Sequence, residues 1–291
     1  MVTVTATRET RETRETRQRR QAHRRPVGEL IRQWRERRRL SQLQLSIQAD
    51  VSTRHLSFVE TGRSRPSRDM VLHLAEELDL PLRERNHLLL AAGYAPVYAE
   101  TALESPKMAA VRGAVSQILR GHEPYPAVVV DRAWNMVDAN AAVALFTGEV
   151  AAELMAPPVN VLRVSLHPDG MAPRILNLGE WRGHLLARLR RQVALTGDAD
   201  LGALHDELAA YPGARSGPAP EAPGPGDLAV PLRVAHEGAE LTFISTVATF
   251  GTPLDVTVAE LAIESFLPAD RHTADVLRRW QAGRPQQAAP H

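Results

Sequence analysis

At 291 residues, with 44% hydrophobic and 24% charged side chains, the chain has the length and ordinary composition of two globular domains, and its lack of cysteine excludes disulfides, thiolate metal sites and a cysteine nucleophile. No apolar run reaches the ~18 residues of a membrane span, and the arginine- and glutamate-rich start lacks the apolar core of a secretory signal, so a cytoplasmic protein is expected. The net charge of +1 conceals a split: residues 1–70 hold 17 arginines against 8 acidic residues, a net of +9, and the remainder nets −8. A basic head on an acidic body points to a polyanion partner at the amino-terminal end.

Residues 8–17 read RETRETRETR, a period-three repeat with no apolar residue to bury, and 17–25 hold five arginines without balancing acids. Residues 1–25 are therefore expected to form a disordered basic arm. From Pro26 the pattern changes. Val27, Leu30, Ile31 and Trp34 recur at helical spacing, behind a proline suited to a helix start. Ser41 can cap a second helix whose Leu45 and Ala49 share a face, and Asp50 occupies the turn that follows. Ser52 or Thr53 can cap a third, which buries Leu56 and Val59 and stops at Gly62. Ser67 caps a fourth, with Met70, Val71, Leu74 and Leu78 as its stripe, and a fifth runs from about Arg83 to Ala92. Five short helices with inward stripes predict an all-α bundle over 26–93.

Leu40-Ser41-Gln42, Val51-Ser52, Phe58-Val59-Glu60-Thr61-Gly62-Arg63 and Arg65-Pro66-Ser67 carry a resemblance to the lambda-repressor-like, or Xre-type, helix-turn-helix domain. The resemblance implies double-stranded DNA as partner, read by the third helix in the major groove. By position, Gln42 would touch a phosphate, and Thr53, Arg54 and Ser57 would face base edges, with His55 near backbone or base. Arg54 can pair bidentately with guanine. Arg63, Arg65 and Arg68 would grip phosphates. Phe58 is either core or a thymine-methyl contact. One short recognition helix reads few base pairs, so a homodimer is expected.

Residues 94–106, with Pro96 and Pro106, read as a linker, and a helix is expected over 107–120, ending at Gly121. The second domain spans 107–273. Pro126–Asp131 is a buried strand by its β-branched run, and Trp134–Ala139 is its hairpin partner. Helices follow at 140–147, 177–196 and 198–211. A proline-rich mobile loop covers 212–227. Period two then returns at Leu228–Val234 and Leu241–Val247, with a less regular strand over 258–267. The order predicts an α+β, PAS-like domain: a five-stranded antiparallel sheet with helices on one face. Residues 274–291 are assigned to a carboxyl-terminal tail.

Val130-Asp131, Trp134-Asn135, Asn140, Asn160–Arg163, Leu166–Gly170, Trp181, Leu189–Gln192, Thr249–Pro253, Asp255–Thr257 and Glu260-Leu261 carry a second resemblance, to the ligand-binding domain of MmyB-like (MltR-type) regulators. It implies a PAS-like pocket with which, in that family, a long-chain fatty acid is associated. Trp134, Asn140, Arg163, His167, Trp181 and Arg182 are the candidate ligand-binding residues, an arginine being the natural partner of a carboxylate.

The histidines show no HExxH spacing, and there is no P-loop, GxGxxG or GxSxG, so no metal, cofactor or catalytic residue is expected. The sequence therefore reads as a DNA-binding transcriptional regulator sensing a small apolar ligand. The alternatives are a carboxyl-terminal protein-interaction or dimerisation module without ligand, and an enzyme fused to a DNA-binding head.

Overall fold

The computed structural model describes residues 25–212 and 230–283. The basic arm up to residue 24, nearly all of the proline-rich stretch and the tail from 284 lie outside the described residues. Two compact units emerge, Met1–Glu100 with Leu254–Ala259, and Thr101–Pro253 with Glu260–His291.

The first unit holds α1 (Val27–Arg37), α2 (Gln42–Gln48), α3 (Thr53–Glu60), α4 (Arg68–Glu77) and α5 (Leu82–Ala91). Ile31, Trp34, Leu45, Leu56, Val59, Val71, Leu74, Leu78, Leu88 and Leu89 meet in one core. Each such side chain contributes about 1.5–3 kcal/mol on burial, which such short helices need because alone they are not stable. All three expected hydroxyl caps form. Ser41, Ser52 and Ser67 accept from the backbone N–H groups of Gln44, His55 and Met70.

Each helix leaves through a residue in the left-handed region: Arg39, Asp50, Gly62, Asp79 and Gly93. That turn lets the next amide bond back to a carbonyl five residues earlier, as Leu40 N–H does to Arg35 O and Tyr94 N–H to Leu89 O. Remaining carbonyls at helix ends take donor side chains from elsewhere in the unit. Arg38 donates to Leu78 O and Asp79 O at 2.8 and 2.7 Å, and His73 Nε2 to Ala49 O at 2.8 Å. Beyond α5 the chain stays attached: Asn86 accepts from Val97 and Tyr98 N–H and donates to Tyr98 O, so these residues of the expected linker are fixed.

The second unit is a sheet in the order β2-β1-β5-β4-β3, antiparallel throughout. Its strands are β1 (Ala127–Val130), β2 (Met136–Ala139), β3 (Leu232–His236), β4 (Ala239–Thr249) and β5 (Ala262–Pro268). The helices are α6 (Ala109–His122), α7 (Ala144–Thr147), α8 (Val161–Leu166), α9 (Leu178–Thr196) and α10 (Ala199–Ala210). A four-residue helical turn, α11 (Val256–Ala259), falls in the first unit, and α12 (Arg271–Ala282) closes the described chain.

Several expectations need correction here. Helices do not keep to one face of the sheet. Val115 and Leu119 of α6 pack on Ala127, Val129 and Ile263, whereas Val128, Val130, Phe243 and Phe266 join a core with α7–α10. This explains why β1 is buried at all four positions. Gly121 lies inside α6 and does not end it. The last strand starts at Ala262 because residues 256–259 are helical. Residues 274–282 are no tail: Asp270 caps α12, and Leu277 is fully buried in the sheet core. Trp134 stands in the hairpin turn with φ of 66°, and Asp131 pins that turn by accepting from Ala133 N–H, Asn135 N–H and the Asn135 amide.

Candidate DNA-reading face and ligand cavity

In the first unit, α2 and α3 are locked together before anything faces outward. The Ser46 and Thr53 hydroxyls meet at 2.8 Å. Beneath them lies a buried ionic network. Arg35 Nε and Nη2 donate to the two Glu60 carboxylate oxygens at 2.7 and 2.9 Å, and Gln42 Nε2 donates to Glu60 Oε2 at 2.7 Å. The bond from Glu60 holds the Arg35 guanidinium above its ordinary pKa. Gln42, the expected phosphate contact, thus has its amide tied into the fold. Gly28 lets α1 lie against α3, since a Cβ there would come within 2.2 Å of Val59 O.

The outer side of α3 carries Thr53 and Arg54 exposed, with His55, Ser57 and Phe58 half-buried. Phe58 resolves as a surface residue. Arg54 sits 5.4 Å from its ring centroid and Arg63 5.9 Å, so two guanidinium groups flank one aromatic ring. Arg63 and Arg68 are exposed. Arg65, the third expected phosphate contact, is exposed too but is tied into the fold. Its guanidinium donates twice to Ala92 O, at 3.1 and 2.7 Å, and lies 5.3 Å from the Tyr94 ring, whose hydroxyl donates to Pro66 O. It closes α5 and fixes the loop that carries Arg63.

In the second unit, a cavity of about 50 Å³ lies between the sheet and α7–α9. Val128, Phe146, Val164, Trp181, Leu232 and Phe266 belong to its apolar wall, and Ser165 and Glu264 are among its few polar lining residues. Trp181 is the one expected ligand residue that lines it; its Nε1 donates to Ser165 Oγ at 3.0 Å. The other five are engaged elsewhere. Asn140 accepts from Ala127 N–H and donates to Tyr125 O, joining the end of α6 to β1. Arg163 grips Glu207 with two bonds of 2.7 Å. Arg182 donates to Leu208 O, Ala209 O and Tyr211 O, capping α10. His167 Nδ1 accepts from Asp169 N–H, and its ring meets Tyr211 edge-on. Trp134 Nε1 donates to Gln192 Oε1 under the Arg188 guanidinium, 4.3 Å from the indole centroid.

Electrostatics agree with structural roles for these cations. The Arg163 bond holds the Glu207 carboxyl below its usual range, and burial, with Glu207 beside it, pushes the Tyr211 hydroxyl up to about 12. Burial lowers Arg182. The polar group missed in the sequence is Glu264, only 4% exposed, with Arg188 and Ser245 as partners. Its signal was the alternation of β5, which puts Glu264 on the same face as Phe266. No group of three metal-ligating side chains occurs among the described residues, and no described helix is long and apolar enough to cross a membrane.

Next to the cavity, His184 stacks on Trp181 at 5.6 Å. Burial depresses its pKa, Arg188 and Arg191 push the same way, and Glu264 opposes them. The unfolded chain therefore takes up a proton at the ordinary value of 6.5 while the folded unit resists it, so stability is lost as pH falls below about 6.5. His184→Gln is expected to flatten the fall in melting temperature between about pH 7 and pH 5. Parallel melting curves for variant and wild type would refute this.

A helix-turn-helix domain family matches residues 26–88. No curated protein matches. Among solved structures, an RNA-binding Light-Oxygen-Voltage receptor aligns at 16% identity over 93% of this chain and 67% of that one, with a TM-score of 0.26, too low to carry an argument. The MmyB-like transcription regulator ligand binding domain matches residues 111–279, more than half of the sequence, and the chain belongs to that family.

Proposed function

We propose that the chain is a sequence-specific transcriptional regulator whose outer α3 face reads duplex DNA and whose PAS-like unit senses a small apolar molecule. The observation that carries the first half is the pair Arg54 and Arg63 flanking Phe58 on an α3 held by buried contacts. Arg54 is assigned to a base edge; Arg63 and Arg68, both exposed, are assigned to phosphates. A homodimer reading two half-sites follows from the size of one recognition helix.

The test is binding of the whole protein to duplexes bearing its operator. Arg54→Ala is expected to weaken operator binding by about 1–3 kcal/mol while leaving non-specific binding nearly unchanged. Arg63→Ala or Arg68→Ala should weaken all sequences alike and make the salt dependence shallower by about one unit. Equal losses on every sequence for Arg54→Ala would remove its base-reading role.

For the second unit, the family and the apolar cavity support ligand sensing. The fatty acid that the resemblance suggests meets two obstacles: the described lining includes no cation, and about 50 Å³ is room for roughly four waters. That small volume also favours a second reading, a dimerisation module that works with its cavity empty. Native mass spectrometry of the gently purified protein separates the two, a retained apolar ligand supporting the sensor.

A further inference from the structure

The cavity wall is apolar except at a few points, and one of them is chemically uncommitted. Glu264 lies on β5, the middle strand of the sheet, with Val128 and Val247 as its cross-strand neighbours. Its Oε1 accepts from Ser245 Oγ at 2.7 Å and from Arg188 Nη1 at 3.0 Å. Its Oε2 receives no hydrogen bond from any described residue. Oε2 keeps accessible surface, and Glu264 lines the cavity, so a donor brought in by a guest can reach it.

Charge decides which donor. Arg188 already balances Glu264 at 3.0 Å. A guest carboxylate would place a second negative charge beside Oε2, with no cation on the described wall to receive it. A guest ammonium would bury a net positive charge. A neutral hydroxyl adds no charge and supplies the missing donor. Resting on the sensor reading above, we infer that the cavity takes an apolar molecule with a hydroxyl head, which donates to Glu264 Oε2.

Three four-carbon probes of nearly equal size, small enough for the cavity, test this on the whole protein by calorimetry: 1-butanol, its donor-free isomer methyl propyl ether, and butanoate. Butanol is expected to bind roughly tenfold or more tightly than the ether, the usual worth of a hydrogen bond to a charged group, and butanoate weakest of the three. Glu264→Met alone would strand Arg188, so the informative variant pairs it with Arg188→Met, replacing both charges by apolar groups. In that double variant the preference for butanol over the ether should vanish while both still bind. Tighter binding of butanoate than butanol, equal binding of butanol and ether by the wild type, or a preference that survives in the double variant would overturn the inference and leave the sensor reading standing. If none of the three binds, the sensor reading fails and the inference with it.

Discussion

Replacing Arg35 with methionine is expected to destabilise the helical unit by about 3–5 kcal/mol, the cost of leaving one member of a buried ion pair behind. Glu60, 5% exposed, would keep only the Gln42 amide on its carboxylate. The Arg35 guanidinium also donates to Leu40 O, at the start of the turn into α2, so that turn would lose a support as well. The measurement is urea denaturation of the whole protein followed by far-ultraviolet circular dichroism, with operator binding in parallel. Arg35→Met combined with Glu60→Met should regain most of the stability, because no buried charge then remains. A single variant within about 1 kcal/mol of wild type would show that Glu60 finds another partner. Because the pair joins α1 to the last residue of α3, DNA affinity should fall with stability even though neither residue faces DNA.

Phe146→Ala should cost the sheet unit a similar ~3–5 kcal/mol, from lost transfer energy and the void left behind. Phe146 is 5% exposed and stands edge-on to Phe243 at 5.3 Å and to Phe266 at 5.0 Å, so its loss breaks both aromatic contacts. It also lines the cavity, which the substitution enlarges. An apolar guest that fills the new space should restore stability in proportion to its occupancy, about 2.7 kcal/mol at a hundredfold excess over Kd. Melting curves with and without benzene test both halves. A loss below about 1 kcal/mol, or no recovery with benzene, would mean that the walls collapse into the gap.

These two sites differ in how far the sequence announces them. Ser41, Ser52 and Ser67 mark the helix starts openly, because capping acts over three residues. The β-branched run of β1 likewise declares its burial. The ionic partnerships are silent because their members lie far apart in the chain. Arg163 reaches Glu207 across 44 positions, and Arg38 reaches Leu78 across 40. An arginine that caps a distant helix and one that waits for a phosphate look alike in sequence. Hence Arg65 reads as a phosphate contact and Arg182 as a ligand contact, while the helix each one closes stays hidden. The α12 helix is a different case: Thr273, Ala274, Leu277 and Trp280 recur at helical spacing behind the Asp270 cap, so its stripe is present in the sequence although the segment reads as a tail.

The placement of the indoles gives the protein a built-in optical reporter. Of four tryptophans, Trp181 forms part of the cavity wall, while Trp134, tied to Gln192, lies against the cation that holds Glu264. Trp34 sits in the other unit, beside Arg37 and Arg38. A guest entering the cavity will perturb the emission of Trp181 first and leave Trp34 untouched at the moment of entry. Single-tryptophan versions of the protein, excited at the red edge of the indole band, would then time occupancy of the cavity separately from any response of the DNA-reading helices.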